Sequence, residues 1–191
     1  MKTFLRPALG LFVLLSIITG LLYPVFITAI AQAAFPHQAN GSLVEVAGKP
    51  VGSQLIGQPF SDAGHFWSRP SATSPNPYNA NASGASNLAA SNPALIDAVK
   101  PRIEALRSAD PAFAASVPGD LVTSSASGLD PDISPAAALA QVPRVAKARG
   151  IDANALARLV DSKVKTRQFG FLGEPRVNVL ELNLALAQLG H

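Results

Sequence analysis

From Pro7 to Phe35 the chain runs PALGLFVLLSIITGLLYPVFITAIAQAAF without one charged side chain; beyond it the pattern breaks into short apolar clusters between polar, Pro- and Gly-rich stretches. The unbroken run exceeds the roughly 20 apolar residues that cross a hydrocarbon core of about 30 Å. Fully helical, it would reach about 40 Å at about 1.5 Å per residue, so it must tilt, bend or protrude. Pro24 is the natural bend, having no N–H to give the preceding turn. Ala29-Ile30-Ala31 and Ala31-Gln32-Ala33 could serve a cleaved signal peptide, but signal apolar regions span only about 7 to 15 residues, and length favours an anchor. Ser16, Gly20, Pro24 and Thr28 recur at every fourth position. Such a stripe of small residues lets helices approach closely in a bilayer, which makes Ser16, Gly20 and Thr28 candidates for a partner helix.

After the span the periodicities are those of a small mixed domain. Ser42–Val46 and Val51–Ile56 are β-rich runs around Ala47-Gly48-Lys49-Pro50 and predict a hairpin. Residues 68–92 are Ser, Asn, Ala, Pro and Gly with almost no large apolar side chain, a long loop of the functional or disordered kind. Asn92-Pro93 supplies a cap and first-turn proline for a helix carrying Leu95, Ile96, Val99, Ile103 and Leu106, which Pro101 should bend. Val117–Thr123 reads as a strand and Ser127-Gly128-Leu129-Asp130-Pro131 as a turn. Ser134-Pro135 opens a helix toward Gly150 with Pro143 inside it, and Asp152 caps another with Leu156, Leu159, Val160 and Val164 on one face. Asn178 with Glu181 makes a capping-box pattern for a last helix through Leu182, Leu186 and Leu189. The expected fold class is α+β: one N-terminal transmembrane helix, then a single mixed, helix-rich extracytoplasmic domain with a small β component.

Charge adds orientation. Lys2 and Arg6 precede the span and the next charge, Glu45, comes well after it. The positive-inside rule then makes residues 1–6 cytoplasmic, 7–35 the membrane helix and 36–191 the periplasmic domain. After residue 35 the chain carries 13 basic against 12 acidic side chains. With no basic stripe among aromatics, nucleic-acid binding is not expected. The absence of cysteine excludes disulfides, thiolate metal sites and thiol nucleophiles.

Candidate chemistry is sparse. Gly48-Lys49 looks like the end of a phosphate loop, but Leu43 stands where its first glycine belongs and Pro50 where its Ser or Thr belongs. His37, His65 and His191 are far apart with no metal-ligand spacing. Asp130 and Asp132 read as a turn leading into a helix rather than a catalytic pair. Phe66-Trp67-Ser68-Arg69 is the most distinctive cluster, either a core aromatic with a structural Arg or a docking surface in which Phe66, Trp67 and Arg69 meet a partner. A membrane-anchored extracytoplasmic hydrolase would need Ser127, Asp130 and His65 brought together by folding.

The order of longer motifs is more specific. TGLLYP at 19–24, QANGSL at 38–43, VGSQLIGQPF at 51–60, FWSRPSA at 66–72, DLVTSSASGLDPDISPAAA at 120–138, QVPRVAKARG at 141–150 and LGEPRVNVLELNLAL at 172–186 together resemble the C subunit of the bacterial Kdp-type potassium-transporting ATPase over nearly the whole chain. The resemblance implies an accessory, non-catalytic subunit of a high-affinity uptake complex in the inner membrane. Its partners would be a channel-like potassium-translocating subunit, a P-type ATPase subunit and a small membrane peptide. It further implies help in assembly and a catalytic-chaperone role that raises the pump subunit's affinity for ATP. ATP and potassium are then used by the complex and no cofactor is bound by a motif of this chain, although nucleotide binding is an attribute of the family. Because the topology places the domain away from cytoplasmic ATP, coupling is expected to run through the helix stripe. Binding residues on this view are Ser16, Gly20 and Thr28 in the membrane and Phe66, Trp67, Arg69, Ser127, Gly128 and Asp130 outside it.

Overall fold

The computed structural model describes residues 2–110, 113 and 116–189; His191 lies outside them. The chain divides into two units, Met1–Pro50 and Val51–His191.

In the first unit, helix α1 (Lys2–Ile17) continues through a π-helical turn (Ile18–Leu22) into α2 (Tyr23–Ala34). Phe4–Ala34 forms one helix of 31 residues, long and apolar enough to cross a membrane. Helical structure thus begins ahead of Pro7 and stops one residue before Phe35, whose backbone turns out of the helix at φ −139° and ψ 56°. Pro36 follows directly, and the residue before a proline is pushed from the α region. Next to Pro24 the structure shows the wide turn, in which the Tyr23 N–H donates to the Ile18 carbonyl. Pro24 has no N–H for the Gly20 carbonyl and its ring crowds that oxygen, so an extra residue per turn relieves the conflict one turn upstream. The short α3 (Pro36–Ala39) and strand β1 (Leu43–Val46) follow. Gln32 and Asn40 exchange side-chain amide hydrogen bonds of 3.2 Å each, and His37 Nε2 donates to the Leu43 carbonyl at 3.2 Å.

The expected hairpin forms with a different turn. Ala47 and Gly48 both take positive φ, 51° and 74°, the two-residue geometry that suits the twist of paired strands. Lys49 and Pro50 therefore belong to β2 (Lys49–Ser53), which ends short of Ile56.

The second unit holds α4 (Pro93–Ala109), α5 (Pro135–Arg149), α6 (Ala153–Ser162) and α7 (Val179–Leu189), with a sheet of β3 (Asp132–Ile133), β4 (Val164–Lys165) and β5 (Arg176–Asn178). β5 lies centrally and pairs antiparallel with both neighbours, Ile133 opposite Val177 and Val164 opposite Val177. The caps are those the sequence calls for. Asn92, Ser134, Asp152 and Asn178 accept from the N–H groups of Ala94, Ala137, Ala155 and Glu181 at 2.9–3.0 Å. Half of the capping box is absent, because the Glu181 carboxylate turns to Lys165 at 2.9 Å. Helix α4 runs through Pro101.

One element differs in kind. Val117–Thr123 is not a strand but contains the 3₁₀ turn Gly119–Leu121. Leu121 and Val122 are both buried, which the alternating faces of a strand would not allow a half-buried segment. Asp120 tightens the turn by accepting from the Ser134 N–H at 2.6 Å. The core is formed where α5, α6, α7 and β5 meet: Val145, Leu156, Val160, Val177, Leu182 and Leu186 are fully buried together with Phe66.

Candidate interaction site

The segment 62–69 has no strand beside it, yet its backbone is paired as thoroughly as a ladder. Asn183 of α7 accepts from the Phe66 N–H at 2.8 Å and donates to the Phe66 carbonyl at 3.0 Å. Gln141 of α5 does the same for Trp67, accepting at 2.7 Å and donating at 3.1 Å. A side-chain amide carries one acceptor and two donors, so it can stand in for a neighbouring peptide group. Arg144 closes the arrangement: its Nη1 donates to the carbonyls of Ala63 at 2.7 Å and His65 at 3.0 Å, and its guanidinium lies 4.3 Å from the Trp67 ring centre. Burial lowers the Arg144 pKa, with Asp110 and Asp62 opposing the shift.

The sequence candidates fall around this clamp in different ways. Phe66 is fully buried, so its contacts are within the chain, whereas Trp67 is half-buried and its Nε1 donates to the Asp62 carbonyl at 2.7 Å. Arg69 pairs with Asp130 at 2.7 Å, and Asp130 Oδ1 accepts from the Asp132 N–H at 3.0 Å, the turn expected there. Ser71 Oγ donates to the Gly128 carbonyl at 2.6 Å. The Ser127 carbonyl accepts from the Gly84 N–H at 2.9 Å and from Ser83 Oγ at 3.0 Å. The loop 68–92 is thus held against SGLDP by polar contacts instead of apolar packing. Beside the SGLDP turn opens a shallow crevice of about 560 Å³ lined by Leu55, Arg69, Ser125, Ser127, Leu129 and Asp130 among others.

In the apolar N-terminal helix the π turn matters for the stripe. Residues four apart drift by about 40° in a uniform α-helix, so Ser16 and Thr28 would stand about 120° apart. One residue accommodated in the wide turn takes back about 100°. Ser16, Gly20, Pro24 and Thr28 therefore share nearly one face.

The KdpC family model, described as the c chain of K⁺-transporting ATPase, matches residues 5–188. The chain belongs to this family. It is 61% identical over 189 residues to the potassium-transporting ATPase KdpC subunit of Polaromonas naphthalenivorans, covering 99% of this chain and 96% of the relative. The KdpC subunits of Variovorax paradoxus and Burkholderia vietnamiensis are 63% and 60% identical, covering 97% and 100% of this chain and 96% and 100% of theirs. The single apolar N-terminal helix and the mixed α+β second unit are thus the architecture of a KdpC chain.

Within that family assignment the hydrolase reading finds no support in the geometry. His65 is held between Asp62, at 2.5 Å from Nδ1, and Arg149, which donates to Nε2 at 3.0 Å. Asp130 is engaged by Arg69 and by its own turn, and Ser127 Oγ accepts from the Leu129 N–H at 3.1 Å. Gln141, Arg144 and Asn183, which organise the region, escaped the sequence reading. Their signal was an amide or guanidinium on the apolar face of an amphipathic helix, as Asn183 sits among Leu180, Leu182 and Leu186.

Proposed function

We propose that this chain is the accessory, non-catalytic subunit of an ATP-driven, high-affinity potassium uptake complex in the bacterial inner membrane. The family match across residues 5–188 carries the reading. The 31-residue apolar helix supports a single-pass anchor, and Lys2 and Arg6 ahead of it support a cytoplasmic N-terminus and a periplasmic domain at 36–191. Its partners are a channel-like potassium-translocating subunit, a P-type ATPase subunit and a small membrane peptide. In this reading the chain promotes assembly and raises the pump subunit's affinity for ATP without meeting ATP itself. The aligned face of Ser16, Gly20 and Thr28 contacts neighbouring helices, and the rim of Trp67, Arg69, Ser127, Gly128 and Asp130 meets a partner outside the bilayer. Coupling then requires only that these contacts differ between two states of the pump.

The test is ATPase activity across ATP concentrations, with ATP-dependent potassium uptake, for the purified complex with and without this chain. The expected result is a complex that forms poorly without it and needs several-fold more ATP for half-maximal rate, within the 5- to 150-fold range of about 1–3 kcal/mol of coupling. Unchanged assembly, uptake and ATP response would overturn the proposal.

A further inference from the structure

Beside the clamp, Asp62, His65 and Arg149 form a short relay of hydrogen bonds. His65 Nδ1 meets Asp62 Oδ2 at 2.5 Å, and Arg149 Nη2 donates to His65 Nε2 at 3.0 Å. A guanidinium has donors only and stays protonated, so Nε2 must offer its lone pair and the ring proton must sit on Nδ1. Its two neighbours thus fix the imidazole as the neutral Nδ1–H tautomer. The same guanidinium donates from Nε to the Gly64 carbonyl at 2.8 Å, tying the turn at 62–65 to the last residue of α5. Asp62 organises that turn from within: Oδ1 accepts from the Gly64 N–H at 2.9 Å, and its carbonyl accepts from the Trp67 indole Nε1 at 2.7 Å. Phe60 stacks on the imidazole with ring centres 5.7 Å apart. The His65 side chain is 32% exposed, which leaves it open to protons from solvent.

We infer that His65 is a proton-operated latch: neutral, it holds Arg149 against the 62–65 turn; protonated at Nε2, it expels Arg149 and frees that turn from α5. A proton on Nε2 sets one N–H against another at 3.0 Å and brings two cations into contact, so the bond becomes a repulsion. Nη2 and Nε belong to one rigid fork, and turning Nη2 away draws Nε from the Gly64 carbonyl. Asp62 stays behind as counter-ion of the imidazolium. Burial pushes its carboxyl up, but the His65 ring outweighs burial and holds it below the ordinary 3.8. Asp62 is therefore ionised throughout the range of about pH 5 to 8 in which histidines change charge. The other charged groups facing this turn are Arg144 of α5, whose Nη1 donates to the His65 carbonyl at 3.0 Å, and Asp110 beyond α4 with Lys147 of α5, which line a cavity beside Ala63. Asn183 and Gln141 keep the backbone of Phe66 and Trp67 in place. Movement is thus confined to 62–65 and reaches the Trp67 ring through the Asp62 carbonyl.

Trp67 is the only tryptophan of the chain, so its fluorescence reports the latch without a label. The experiment follows that emission in the full chain in detergent from about pH 8 to about pH 5, beside nitrogen NMR of the histidine and arginine side chains. At the alkaline end His65 should show a protonated Nδ1 and a bare Nε2. Acidification should change the Trp67 emission in a single-proton step and cut the protection of the Arg149 Nε–H from water exchange about tenfold. His65→Gln cannot titrate and should leave the emission flat. Arg149→Met removes the opposing cation and should raise the midpoint, whereas Asp62→Asn removes the counter-ion and should lower it, each by roughly half a pH unit. Flat wild-type emission, a step that survives His65→Gln, a midpoint unmoved by Arg149→Met, or an Arg149 Nε–H equally protected at both ends overturns the latch. If His65→Gln does not fold, the Arg149→Met midpoint and the Arg149 exchange decide.

Discussion

Three polar side chains do for the segment around Phe66 what a missing strand would have done. If Asn183 satisfies both backbone groups of Phe66, Asn183→Leu leaves a buried N–H and C=O without partners and should cost about 2–5 kcal/mol. Arg144→Met strands the carbonyls of Ala63 and His65 and should cost about 3 kcal/mol; urea unfolding of the full chain in detergent measures both. Asp132 offers a test with a defined sign. Burial raises its carboxyl above the ordinary value of 3.8, the neighbouring Asp130 adds to the shift, and Arg176 opposes it. Between 3.8 and the raised value the folded chain holds more protons than the unfolded one, so this group adds stability as pH falls through that window. Asp132→Asn lacks the group; the stability of the wild type relative to the variant should grow as pH falls through the window and stay flat above it. A difference independent of pH would contradict the assignment. The turn at Asp130 was legible at this scale because Asx geometry is local, whereas the duties of Gln141 and Asn183 depend on where a distant segment lies.

Elements respond to strain that single contacts do not show. The π turn at Ile18–Leu22 exists because Pro24 cannot serve the Gly20 carbonyl. Pro24→Ala restores the donor and should return the helix to uniform α geometry, splaying Ser16 from Thr28 by about 100°. Cysteine crosslinking from positions 16 and 28 to partner helices would report it as loss of one contact while the other survives. In the SGLDP turn, Gly128 takes φ 68° and a Cβ there would come within 2.7 Å of the Gly84 carbonyl oxygen. Gly128→Ala should therefore lower stability by about 1–3 kcal/mol in a thermal melt, loosening the contact between loop 68–92 and the turn. The helices α4 to α7 were legible because caps and apolar spacing act within a few residues. The turn at Gly119–Leu121 was not, because its adjacent Leu121 and Val122 are buried by tertiary packing.

For the whole molecule, the question is whether the span is only a tether. Replacing residues 7–34 with an unrelated apolar single-pass helix should keep the chain in the membrane yet shift the complex's ATP half-saturation to the value seen without this subunit. A complex with wild-type ATP response would show instead that coupling runs through the outer domain. By itself the sequence determined the apolar span, the helix starts at Asn92, Ser134, Asp152 and Asn178, the hairpin near Gly48 and the family, because periodicity, capping and motif order are properties of neighbours along the chain. Only the tertiary structure decided that Phe66 is core, that Gln141 and Asn183 hold its segment across separations of 74 and 117 residues, and that Phe169 and Phe171 stand outward. An amide or a phenylalanine reads the same in sequence whether it faces solvent or the core; which it meets is fixed only when distant segments are brought together.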